Sequence, residues 1–180
     1  MKKNSKIALS GLLAAFAVAA SALESLVPAL PFAPPGFRIG FSNVASMIAC
    51  GVSWGSALAV ALVKSAFVLL TRGVTASLLS LAGGLASAAV TLLLMRFAHG
   101  KVGCIGIGVA GAAAHNLAQV CVYSLIISDA AFWYLPYLLV LGTACGVLTG
   151  ILLDLAQKYL YAYKKTDAGE HRRAERNQNG

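Results

Sequence analysis

The chain of 180 residues is 59% hydrophobic and only 11% charged, with a formal net charge of +8 and a mean hydropathy of +0.79. A water-soluble domain of this size cannot hide that much apolar surface, so the composition excludes one and points to a lipid bilayer as the solvent. The positive charge does not mark nucleic-acid binding, because it flanks the apolar region: Lys2, Lys3 and Lys6 lead into it, and Lys158, Lys164, Lys165, Arg172, Arg173 and Arg176 follow it, where such residues orient a membrane protein and meet anionic lipid.

In chain order, six apolar segments are expected, at about residues 7–30, 39–51, 54–70, 74–95, 102–127 and 132–159. They predict an all-α polytopic helix bundle in one transmembrane domain over residues 1–160. A basic, disordered tail is expected over 161–180. The first segment has a second reading. A Lys-rich start, an apolar run and Ala20-Ser21-Ala22 follow the grammar of a cleaved signal peptide, but the apolar run continues past that point to Glu24 and Pro28, which favours a retained helix. The second segment is too short to span unless it tilts or extends into Pro35-Gly36-Phe37-Arg38, so a re-entrant or broken helix is the alternative.

Charge bias orients the bundle. With the N-terminus in the cytoplasm, Arg96, His99 and Lys101 also fall inside, as does the basic tail. Both termini of this multi-pass chain are therefore expected on the cytoplasmic side of the membrane. Segments one, three and five then run outward.

Strongly polar side chains inside spans are costly and usually face a bundle interior. Glu24, Asn43, Lys64, His115, Asn116 and Gln119 are of this kind, with Arg38 and Arg72 at the outer mouth. Under the inferred orientation these groups converge toward the outer half. Glu24, Arg38, Asn43, Lys64, His115, Asn116 and Gln119 are therefore the expected lining of an outward-facing pocket. Its cationic balance suits an anionic small molecule. Three structural alternatives stand beside this: Glu24 pairing with Lys64 or Arg38, Arg72 snorkelling to the interface, and His115-Asn116 acting as an interhelical clip.

Other motifs carry no chemistry. Cys50, Cys104, Cys121 and Cys145 form no CxxC pair and read as packing residues; neither zinc nor a disulfide framework is expected. The GxGxxG run at residues 106–111 lies in an apolar span without a βαβ unit, so its small residues serve helix approach. Gly11, Ala15 and Ala19 on segment one, and Gly142, Gly146 and Gly150 on segment six, are further small-residue stripes for helix docking. Asp129, Asp154 and Asp167 are far apart, so no aspartate pair is expected to hold magnesium against a diphosphate. No phosphate-binding GxxxxGK[ST] loop appears, and no catalytic site or cofactor is expected.

Four stretches together carry a resemblance: Leu23-Glu24-Ser25-Leu26-Val27-Pro28, Pro35-Gly36-Phe37-Arg38-Ile39-Gly40-Phe41-Ser42-Asn43, Ser80-Leu81-Ala82-Gly83-Gly84 and Ala114-His115-Asn116-Leu117-Ala118-Gln119. Over residues 7–155 the chain resembles the Gx transporter family, whose members are often named heptaprenyl diphosphate synthase component I. That family looks like the substrate-binding S components of energy-coupling factor transporters. The resemblance implies six helices, a vitamin-like or isoprenoid-related ligand bound near the outer face, and a coupling membrane subunit with paired ATPases that docks on Gly11, Ala15 and Ala19. Lys64 stands where the resemblance implies arginine, which keeps the charge and loses a bidentate contact. Against the prenyl synthase name, the chain lacks paired aspartate-rich motifs. The other reading is an accessory membrane subunit of an isoprenoid, quinone or redox system without transport.

Overall fold

The computed structural model describes residues 3–26, 42–98 and 101–178. Among these the chain is all-helical: α1 (Lys3–Leu26), α2 (Asn43–Val52), α3 (Trp54–Arg72), α4 (Val74–Phe97), α5 (Cys104–Ile126), a 3-10 turn (Asp129–Tyr134) and α6 (Leu135–Gln178). Five segments are long and apolar enough to cross a bilayer: Asn4–Leu26, Trp54–Arg72, Val74–Phe97, Cys104–Ile126 and Phe132–Tyr159. Their outer surfaces are apolar. Leu70 and Leu125 are each 86% exposed, a surface that only a hydrocarbon solvent tolerates. Exposed aromatic residues sit near segment ends, with Trp54 opening α3 and Trp133 preceding α6, where amphipathic rings favour the headgroup level.

Short breaks separate the helices, each with a local cause. Ser53 adopts an extended backbone between α2 and α3, and its hydroxyl accepts the Ser56 N–H at 3.2 Å, satisfying a donor at the start of α3. Gly73 alone separates α3 from α4. Its φ of +87° is open to glycine, and its N–H donates to the Leu69 carbonyl at 3.1 Å. Ser128 starts the 3-10 turn by accepting the Ala130 N–H, which reverses the chain into α6.

The helices pack as a row bent around α2. Contacts join α1 to α3, α3 to α4, α4 to α5 and α5 to α6, while α2 touches α1, α3, α4 and α6. At ten residues α2 rises about 15 Å, half of a hydrocarbon core. It is the short element anticipated from the sequence, and it is buried rather than spanning. Val44, Ala45, Met47 and Ala49 all have 3% exposure or less. A half-length helix is tolerated because protein surrounds it.

The two glycine-rich helices pack backbone to backbone. A Cβ on Gly108 of α5 would overlap the Gly146 carbonyl oxygen and approach Gly150 Cα to 2.7 Å, and one on Gly146 would meet Val109 Cα at 2.6 Å. The stripe of Gly142, Gly146 and Gly150 therefore faces inward, toward α5. Gly11, Ala15 and Ala19 do the opposite: all three are exposed, while Leu13, Ala17 and Ser21 of α1 turn into the bundle.

Beyond the last span, α6 continues as a helix to Gln178. Residues such as Ala162, Lys164, Lys165, Glu170, Arg172, Arg173 and Glu175 are mostly good helix formers. They extend a helix already nucleated within the span, which avoids the cost of starting one.

Candidate binding site

One cavity collects most of the polar groups. Counting space open to solvent it measures about 330 Å³, and Ser21, Glu24, Ser42, Lys64, Val68, Arg72, Ala76, Ser80, His115 and Gln119 line it. The lining residues come from the C-terminal halves of α1, α3 and α5 and from the start of α4, with Ser42 just before α2. The starts of α1 and α5, the end of α4 and the last turns of the α6 span gather at the other end of the bundle, where Leu9 shares a cluster with Leu92 and Met95, and Leu94, Met95, Val102, Cys104 and Leu153 share another. The cavity thus lies away from the basic flanks of the apolar region.

Helical spacing aims each contribution. Lys64, Val68 and Arg72 recur every four residues on α3, as do Ala76 and Ser80 on α4 and His115 and Gln119 on α5, so each set shares one face. Glu24 anchors the first wall. Its Oε1 accepts the Ser42 backbone N–H at 2.8 Å, and Oε2 accepts from the Ser42 hydroxyl at 3.4 Å. A carboxylate placed there satisfies an orphan donor at the start of α2 and complements the positive end of its dipole. Arg72 Nη2 donates to the Ser21 carbonyl at 2.8 Å, tying α3 to α1.

Lys64 is the deepest charge, at 2% exposure. Lys64 and Glu24 make no direct ion pair within 4 Å. A buried ammonium without a close counter-ion is costly, and an anion entering the cavity would relieve that cost. His115 and Gln119 are 3% and 2% exposed, and the His115 ring lies against the Gly83 backbone. Glycine makes room for the imidazole: a Cβ on Gly83 would lie 2.6 Å from His115 Nδ1 and Cε1.

The expected site residues divide accordingly. Glu24, Lys64, His115 and Gln119 meet at the cavity. Asn43 does not line it; its Oδ1 lies near Gly84, as does the Lys64 ammonium, so it stands in the layer behind. Asn116 points elsewhere and is a correction to the expected lining. Its Nδ2 donates to the Leu138 carbonyl at 2.7 Å, clipping α5 to α6 across the place where Gly142 leaves no side chain in the way. One residue along a helix turns the side chain by about 100°, so His115 and Asn116 cannot share a target. Arg38 lies outside the described residues. Arg72, expected only at the mouth, lines the cavity, and Ser21, Ser42 and Ser80 join it without having been selected from sequence. For Arg72 the signal was its eight-residue spacing, two turns, from Lys64 on the same helix face.

The fold and cavity define a multi-pass α-helical membrane protein with a polar pocket at one end of the bundle. A family profile described as heptaprenyl diphosphate synthase component I matches residues 13–156, and the chain belongs to that family. No curated protein and no solved structure matches it.

Proposed function

We propose that this protein captures a small anionic molecule at the outer face of a bacterial cell membrane and serves as the substrate-binding subunit of an energy-coupled importer, with both termini in the cytoplasm. The observation that carries the reading is Lys64, buried without a close carboxylate among the described residues and lining a cavity with Arg72, His115 and Gln119. Glu24 lowers the net positive charge and holds the start of α2. The outward stripe of Gly11, Ala15 and Ala19 is where a membrane coupling subunit with ATPases would dock, since small residues allow close backbone approach. The chain itself carries out no catalysis in this reading and needs no cofactor.

The family's description favours a second reading, an accessory membrane subunit of an isoprenoid or quinone system. Purification from membranes separates the two. An importer subunit brings down ATPases and a water-soluble molecule whose retention falls in Lys64→Met. An accessory subunit brings down a prenyl synthase or redox partner. Retention unchanged in Lys64→Met would overturn the assignment of this cavity.

A further inference from the structure

The α4 wall of the cavity carries a hydroxyl that the fold does not use. Hydroxyls in spans commonly donate to backbone carbonyls. Thr71, Thr143 and Thr149 each reach the carbonyl four residues back, and Ser77 reaches that of Ser65 at 2.9 Å. Ser80 lines the cavity and makes no side-chain hydrogen bond among the described residues. Its oxygen is not enclosed, as those of Ser87 and Thr91 deeper on α4 are, so a guest in the cavity can reach it. Lys64 stands beside it. A Cβ on Gly84 would lie 4.0 Å from Lys64 Nζ, and Ser80 is one turn from Gly84 on the same face of α4, about 6 Å along the axis. Ammonium and hydroxyl are therefore neighbours on the side of the cavity where α3 packs on α4. Both donate, and one oxyanion can accept from the two together. Glu24, the carboxylate of the lining, is tied to Ser42 on the α1–α2 side.

We propose that Ser80 and Lys64 form the subsite for the anionic group, the α4 hydroxyl and the α3 ammonium donating to the same carboxylate or phosphate. This rests on the capture reading and places the anionic group within the cavity, against α3 and α4 and away from Glu24.

The test uses the full chain in detergent, with Cys50, Cys104, Cys121 and Cys145 replaced and Ser80→Cys supplying the single thiol. It is treated with two methanethiosulfonate reagents of similar size, one carrying a sulfonate and the other a trimethylammonium group. Each rate is divided by that reagent's rate with a small free thiol, which removes intrinsic reactivity. A change in the acidity of the thiol affects both reagents alike, so their ratio reports charge at the site. The sulfonate reagent is expected to be favoured. Adding Lys64→Met should lower that preference about tenfold, the effect of removing one nearby charge from a partly desolvated site. A preference that Lys64→Met leaves unchanged overturns the subsite, as does a thiol that neither reagent reaches in the folded chain.

Ser80→Ala supplies a second measurement. The molecule that copurifies with the wild type and is lost in Lys64→Met should be retained about tenfold less, the effect of removing one hydrogen bond to a charged group. Equal retention by Ser80→Ala overturns the subsite and leaves the capture reading standing. If the wild type retains nothing, the capture reading fails, and the charge preference at Ser80→Cys still decides whether an anion subsite exists. Each measurement uses its own variant, so a failure of one to fold leaves the other to decide.

Discussion

The Ser42 backbone N–H donates to Glu24 Oε1 at 2.8 Å, joining the end of α1 to the start of the buried half-helix α2. This bond makes Glu24 a structural carboxylate as well as a wall of the cavity. Hydrogen bonds to charged groups contribute about 1.5–3 kcal/mol. Glu24→Ala is therefore expected to destabilise the bundle by about that amount, and Glu24→Gln, which keeps an acceptor, by less. Chemical unfolding in detergent checks the order; equal losses would remove the cap from the account.

Lys64→Met is expected to weaken capture of an anionic molecule by about 2–5 kcal/mol, because it removes a cation from a desolvated site. The fold should survive, since a buried charge is replaced by a side chain of similar length. The double variant Lys64→Met with Glu24→Gln sharpens this. Stability near wild type without recovered binding is expected, whereas recovery of both would show the polar cluster to be structural. Thermal melts and ligand retention measured on the same samples decide it.

Two neighbouring glycines should behave differently. Gly83→Ala places a methyl 2.6 Å from the His115 ring and is expected to cost about 1–3 kcal/mol and to displace the imidazole from the cavity. At Gly84 the nearest heavy atom would be the Ala61 methyl at 3.6 Å, an ordinary contact, so Gly84→Ala should be tolerated. Melting temperatures of the pair provide the comparison, and a Gly84→Ala loss as large as that of Gly83→Ala would contradict it.

The two small-residue stripes separate by stability. Gly108→Leu should unfold or misassemble the α5–α6 pair, because any side chain there meets the Gly146 backbone. Ala15→Leu, on an exposed face of α1, should melt like the wild type while losing its membrane partner in copurification. Retention of every partner by Ala15→Leu would leave that face to lipid.

Topology is checked with a cysteine added at the C-terminus after Cys50, Cys104, Cys121 and Cys145 are replaced. The basic flanks predict that both ends are cytoplasmic. An impermeant thiol reagent should label the added cysteine only after the cells are permeabilised, and labelling of intact cells would reverse the orientation.

The sequence by itself determined that the chain is an all-α membrane bundle. Apolar runs of span length leave few choices once every backbone polar group must be satisfied within its own helix. It also singled out Glu24, Lys64, His115 and Gln119, because ionisable and amide side chains inside spans are too costly to face lipid. The shortness of the second segment was legible for the same reason of length. What only the tertiary structure decided was facing. Helix rotation and neighbours sent Asn116 to the Leu138 carbonyl and His115 to the cavity, although the two are adjacent in the chain. The same packing turned one small-residue stripe inward and left the other exposed. Ser21, Ser42 and Ser80 became cavity lining for a related reason: a hydroxyl costs little in a span, so its presence marks no site until neighbouring helices close around it.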